Sequence, residues 1–365
     1  PPAAGRASHS PRAAAMCRLK AGKANCSARR MMATGSRGWR TRSATATAIN
    51  THSTYDPNGN LAEILDPNGG VTGFQYDDTD RLEKRVLPNG VVTTYGYDSR
   101  DRVLSVVHKN ASNIVLASAI YIRSLSGEPT KITREDGTYT MVEYDSALRI
   151  HKESHFDAND VLISEIQYGY DLDGNRTSKT TLTGNETYSY SPGFKLDGIT
   201  TSTGTETYAH DAGGRLTGID RGGVARTIEY DSFDHIKKVV DDGVEKVRYT
   251  TDSSGRRTAI SDSTGERRFL TAPNVGDGYD SPQAVTDASG SLVAAFVYAG
   301  ELPIAKITPT GVEYFFGDSM GSVIGKVNGA GAVTARISYD GFGNVESAVG
   351  ASAGVDPSIG SEPRF

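Results

Sequence analysis

The sequence predicts an all-β fold: a repetitive ribbon of antiparallel β-hairpins that curls into a partial shell. Three observations predict it. Tyrosine occurs 18 times against 10 Phe and 1 Trp, a usage that suits half-buried strand surfaces better than a helical core. The 41 glycines interrupt every stretch long enough for a helix, and no helical apolar period is present. Finally, the pairs Tyr55-Asp56, Tyr76-Asp77 and Tyr97-Asp98 start 21 residues apart, twice in succession, and a fixed period of that size marks a repeat architecture.

The register continues along the chain. It returns at Tyr144-Asp145, Tyr170-Asp171, His210-Asp211, Tyr230-Asp231, Thr251-Asp252 and Tyr339-Asp340. Glycine holds the fifth position of the unit at Gly59, Gly174, Gly214, Gly255 and Gly343. Asp80, Asp101, Asp234 and Leu148 stand there in other copies, which suggests a relaxed turn requirement. The wider gap from Tyr97 to Tyr144 implies an intervening degenerate unit.

Each unit has a mechanical reading. Two residues before most pairs sits an apolar or aromatic side chain, among them Phe74, Tyr95, Val142, Tyr168, Ile228 and Ile337. A spacing of two puts it on the same strand face as the following Tyr, so both are expected to be buried together. Aspartate then leaves the strand, and its carboxylate can cap backbone N–H groups while the fifth residue takes a positive φ. The run that follows reaches a second turn, such as Pro88-Asn89-Gly90 or Asp241-Asp242-Gly243, where Asn-Gly and Asp-Gly signal a hairpin. About 14 such units give about 28 strands and a contour of about 130 Å, expected to form an open, hollow spiral.

Charge divides the chain. Ten of its 39 basic residues and none of its 44 acidic ones lie in residues 1–54, which leaves residues 55–365 at net −15. Residues 1–52 thus read as a disordered or non-native basic flank, 53–350 as the repeat region, and 351–365 as a truncated C-terminal tail. The only cysteines, Cys17 and Cys26, lie in the flank, so no disulfide framework supports the repeats. No apolar run reaches the roughly 20 residues of a membrane-spanning helix.

The units resemble the YD repeat of the RHS and teneurin family, Tyr-Asp-x-x-Gly-Arg-Leu, most closely at Tyr55 to Leu61 and His210 to Leu216. Phe316-Gly317-Asp318-Ser319-Met320-Gly321-Ser322-Val323 and Tyr339-Asp340-Gly341-Phe342-Gly343-Asn344-Val345 resemble the RHS-associated core, whose second element reads Tyr-Asp-Pro-Phe-Gly-Asn-Val. The resemblance implies a β-shell that encloses a C-terminal cargo, often a toxin, in secreted or cell-surface polypeptides. Asp356-Pro357-Ser358-Ile359-Gly360 departs from the self-cleaving Asp-Pro-x-Gly-Leu end of that core, so autoproteolysis is not expected, and the chain is expected to be an incomplete shell piece.

Chemistry-bearing patterns are weak. His151 and His155 lack the glutamate a zinc-protease helix needs directly after the first His. Gly317-Asp318-Ser319-Met320-Gly321 has the spacing of a nucleophile elbow, but glycines follow too soon for the required helix. Asp171 and Asp173 have the wrong spacing for a calcium loop. The chain is therefore expected not to be an enzyme and to hold no cofactor and no metal. Net −15 over the array excludes nucleic acid, which requires cations to replace its counterions. The expected partner is the cargo polypeptide of the parent protein. The alternative is a cell-surface adhesion module that uses the repeated Tyr/Asp surface to bind glycans or proteins of neighbouring cells. The residues that carry the repeat are Tyr55, Asp56, Gly59, Tyr76, Asp77, Tyr97, Asp98, Tyr144, Asp145, Tyr170, Asp171, Gly174, Tyr230, Asp231, Tyr339, Asp340 and Gly343.

Overall fold

A computed structural model describes residues 51–273, 280–300 and 302–350. The expectations for the basic flank up to residue 50 and for the tail 351–365 lie outside the described residues. The described residues form 28 strands and no helix. The ribbon opens with β1 (His52–Tyr55), β2 (Leu61–Leu65), β3 (Val71–Tyr76), β4 (Leu82–Val86), β5 (Val92–Tyr97), β6 (Val103–Lys109) and β7 (Val115–Arg123). It continues through β8 (Pro129–Arg134), β9 (Tyr139–Tyr144), β10 (Ile150–Phe156), β11 (Leu162–Tyr170), β12 (Arg176–Thr181), β13 (Asn185–Ser191) and β14 (Lys195–Thr201). Then come β15 (Gly204–His210), β16 (Leu216–Arg221), β17 (Val224–Tyr230), β18 (Ile236–Asp241), β19 (Val244–Thr251), β20 (Arg257–Asp262) and β21 (Gly265–Pro273). The last are β22 (Asp280–Asp287), β23 (Leu292–Ala299), β24 (Leu302–Thr308), β25 (Gly311–Gly317), β26 (Val323–Asn328), β27 (Val333–Tyr339) and β28 (Val345–Val349). Each strand pairs antiparallel with the next in sequence, from β1–β2 to β27–β28.

The Tyr-Asp turn explains the hairpins. In the first copy the Asp56 N–H donates to the Asn60 carbonyl and the Gly59 N–H to the Asp56 carbonyl, at 2.8 and 3.0 Å. The fifth residue is left-handed in every copy, with or without glycine. Asp80, Asp101, Leu148 and Asp234 have φ of 60°, 62°, 59° and 69°. The turn requirement expected to be relaxed is thus kept, because closing the five-residue turn back onto the strand needs a positive φ at that point. The second turns differ among themselves. Asp242-Gly243, with φ of 48° and 79°, is a two-residue hairpin loop. Asn89-Gly90 instead belongs to a five-residue turn in which the Leu87 N–H reaches the Val91 carbonyl.

The ribbon curls so that its late strands overlap its early ones, β25 lying against β4 and the β27–β28 turn against β10. Ile64, Phe74, Leu87, Val91, Leu116 and Ala117 from β2–β7 and the adjoining turns form one core with Ala295, Val297, Ile307, Tyr314, Phe316 and Val327 from β23–β26. A second core, made by Val285, Ala294, Phe296, Phe315 and Val323, lies on the other face of those late strands. Burial on both faces is why these strands read as near-continuous apolar runs, and why the ends of the ribbon stack as layers. The intervening arc is a single layer. Between Tyr168 and Ala284, Ile260 is the only buried hydrophobic side chain among the described residues.

Candidate functional site: the repeat fasteners and the docked C-terminal hairpins

Among the repeat tyrosines, the structure leaves Tyr55 exposed and places Tyr76, Tyr97, Tyr144, Tyr170, Tyr230 and Tyr339 half-buried. The hydroxyl accounts for the part of each ring that is not buried. Each ring lies along the preceding strand and donates to a carbonyl there: Leu61, Leu82, Pro129, Ile150, Leu216 and Val323 in turn, at 2.6–3.0 Å. Each tyrosine therefore ties its hairpin to the one before. Partial burial still pushes Tyr76 and Tyr97 up to about 12.

The aspartates work inside the turn. Asp98 accepts the N–H groups of Arg100 and Arg102 on one oxygen and the Arg102 Nε on the other, at 2.8, 3.0 and 2.5 Å. These bonds, led by the Arg102 N–H, hold its carboxyl down at about 2. Asp56, Asp77, Asp145, Asp171, Asp231 and Asp340 repeat the pattern. Gly59, Gly174 and Gly343 supply the positive φ. The carboxylate of Asp171 is thereby engaged by the turn, as Asp173 and Asn175 donate to it.

The sixth residue of the unit, Arg in the resembled motif, links successive turns, a role the sequence reading did not assign to it. Arg81 pairs with Asp77 at 2.7 Å, reaches Asp101 of the next turn at 2.9 Å, and lies 4.8 Å over the Tyr97 ring. Arg215 does the same with Asp211, Asp234 and Tyr230. Asn58 and Asn60 donate to Asp80. So where aspartate takes the strained fifth position, it receives a bond from the turn before it. Leu148 has no such compensation. Recurrence of Arg, Asn or His at position six was the available signal. With hydroxyls committed to backbone carbonyls and cations over Tyr97, Tyr170 and Tyr230, the rings offer sugars little free surface.

A second arrangement lies where the layers meet. One register position, cross-strand from the residue two before the repeat pair, is apolar at Val106, Ile219, Val239 and Ile260. It is charged at Arg85, Glu153 and Lys179, paired with Phe74, Val142 and Tyr168. All three charged residues grip the late strands. Arg85 Nη2 donates to the Phe315 carbonyl at 3.2 Å, Glu153 accepts the Gly341 N–H at 3.0 and 3.2 Å, and Lys179 Nζ lies 3.5 Å from Asp340. His108, pushed down to about 3 by burial, is neutral. It accepts from the Thr93 hydroxyl and donates through Nε2 to the Gly317 carbonyl.

The Asp318-Ser319-Met320-Gly321 turn joins two strands, β25 and β26, with no helix behind Ser319. Its Ser319 N–H donates to the Tyr121 hydroxyl at 3.2 Å, so the segment is a docking turn and lacks the strand-helix frame of a nucleophile elbow. His151 bonds the Tyr168 carbonyl and His155 the Thr140 hydroxyl, and no group of three potential metal ligands occurs among the described residues. No helix there is long and apolar enough to cross a membrane. A shallow groove of about 510 Å³ lies between the turns of Asp231 and Asp252, lined by Phe233, His235 and Gly255.

The teneurin YD-shell family model matches residues 143–353, and the RHS repeat model matches residues 55–90. No curated protein matches the chain. Similar solved structures include TcdB2-TccC3-Cdc42, at 15% identity and TM-score 0.48, covering 83% of this chain and 18% of that one. TcdB2-TccC3 is 14% identical with TM-score 0.49, covering 83% and 19%. The Photorhabdus luminescens Tc holotoxin pore with the TccC3-D651A mutation is 13% identical with TM-score 0.41, covering 86% and 22%. The chain spans about a fifth of the length of these structures.

Proposed function

The chain belongs to the teneurin YD-shell family, and from that premise we propose that it is a wall segment of a β-shell that encloses or presents a C-terminal cargo polypeptide, in a secreted or cell-surface protein. In this reading residues 53–350 are the wall, and the Tyr-Asp repeat residues are its fasteners. Its role is structural, since the polar groups of the repeats are consumed in holding hairpin to hairpin.

The observation that carries the reading is the curl of the ribbon until its late strands overlap its early ones. Every strand is hydrogen-bonded to its sequence neighbours, and the late strands stack on the early ones through Arg85, Glu153 and Lys179. Such a wall has its strength in the sheet and needs no ligand. An unstructured reporter peptide fused after Phe365 should be cut by added protease several-fold more slowly than the same peptide placed before Pro1. Equal cleavage rates would overturn the proposal.

A further inference from the structure

Glu153 sits in an apolar rung. Its cross-strand neighbours are Val142 on β9 and Ile166 on β11, and all three are buried. Among the described residues no ion pair to its carboxylate occurs; Lys179, which faces it, pairs with Asp340. Its hydrogen-bond partner is the Gly341 N–H in the turn between β27 and β28. The fit at that turn is close. A Cβ at position 341 would lie 2.1 Å from Glu153 Oε1 and 2.6 Å from Ile150 Cδ1. Proline, which the resembled core motif carries there, would also lack the donated N–H. Gly341 and Glu153 thus form a matched pair, with Phe342 beside them edge-on to Tyr168 at 4.8 Å.

We propose that Glu153 is a proton-operated latch for the last hairpin: protonated, it holds the Gly341 turn against β10, and ionised, it loosens it. The charged and titratable groups facing it are Asp340 and Glu346 from the last hairpin, Lys179 from β12, Tyr144 from β9, Tyr168 and Tyr170 from β11, and His155 on its own strand. Burial, then Asp340 and Glu346, raise the Glu153 carboxyl to about 7, while the Gly341 N–H and Lys179 oppose the rise. Burial pushes His155 down, so it adds no charge near neutral pH. With the hairpin undocked and the carboxyl wetted, Glu153 returns toward about 4.5. The docked form then binds the extra proton, so docking tightens as pH falls and weakens as pH rises through about 7. The latch belongs to the fold of the chain itself and does not depend on what a shell would enclose.

Hydrogen exchange of the 340–344 turn, corrected for intrinsic rate, tests this on the whole chain at pH 6 and pH 8.5. Protection should fall about tenfold between them in the wild type, which is the linkage expected for this shift. Glu153→Gln should retain the pH 6 protection at both values. Glu346→Gln, which removes one facing carboxylate at the solvent edge, should lower the midpoint of the wild-type transition. The turn at residues 98–102 should not respond in this window. A flat wild-type profile, a wild-type slope in Glu153→Gln, or an unmoved midpoint in Glu346→Gln would each overturn the latch; the last comparison stands even if Glu153→Gln fails to fold.

Discussion

The hydroxyl of Tyr97 lies 2.7 Å from the carbonyl oxygen of Leu82, so the side chain that opens one hairpin is anchored on the backbone of the hairpin before it. Removing that hydroxyl leaves the carbonyl without its partner under a ring that stays in place. Tyr97→Phe should therefore lower stability by about 1 kcal/mol in urea titration. Tyr55→Phe, at a ring 65% exposed, should change it by less than about 0.5 kcal/mol.

Leu148 holds a left-handed backbone with φ of 59° and gains no bond for it. Leu148→Gly should raise stability by about 0.5–1 kcal/mol, the relief of side-chain strain less the entropy glycine loses on folding. Asp101→Gly relieves the same strain but forfeits the Arg81 contact, so it should yield a smaller gain or none. Thermal melts of the two variants side by side decide this.

Gly325 lies beneath the fully buried Phe316 ring, and an added Cβ would meet the ring Cζ at 2.1 Å. Gly325→Ala should cost about 1–3 kcal/mol through overpacking. Because the clash is with one side chain, Phe316→Leu combined with Gly325→Ala should destabilise by less than the two single changes added together. Urea midpoints of the four proteins test the coupling.

Two sets of carboxyls give the chain opposite responses to acid. Asp98 and Asp262 are held at about 2, by the Arg102 N–H and the Arg267 side chain first. Groups lowered in the fold stabilise above their ordinary values and lose that contribution as pH falls toward about 2. Glu153, raised to about 7, contributes in the reverse sense, fully below about 4.5 and lost as pH climbs through 7. Buried His108, held at about 3, adds a contribution that is lost as pH falls below its ordinary 6.5, so melting temperature should peak between about pH 5 and 6 and fall on both sides. A monotonic rise from pH 5 to 8 would contradict the assignment of Glu153.

The repeat turns were legible because their chemistry is local. Asp98, with Arg100 and Arg102 two and four residues on, closes its own turn, and the strand count follows from the period. The bond from the Tyr76 hydroxyl to Leu61 was not legible, since the carbonyl lies on another strand and backbone groups leave no mark in a sequence. The stacking of layers was hidden for a related reason. Arg85, Glu153 and Lys179 read as polar breaks in an apolar rung, and only the arrival of Phe315, Gly341 and Asp340 from some 160 to 230 residues away gives them partners. The left-handed φ at Asp101 was visible as a position but not as a requirement, because the compensating bond comes from Arg81 in the previous turn.

Neighbour-to-neighbour pairing also sets an order of construction. On the ribosome each hairpin can zip onto the last as soon as it emerges, because its hydrogen bonds need nothing further along the chain. The stacking contacts obey a different clock. The face formed by Ile64, Phe74 and Leu116 must wait for Phe316 and Val327, so it stays bare through the synthesis of the entire arc. The nascent protein is thus a growing sheet with an uncovered apolar face, and the final hairpins act as the seam that closes it.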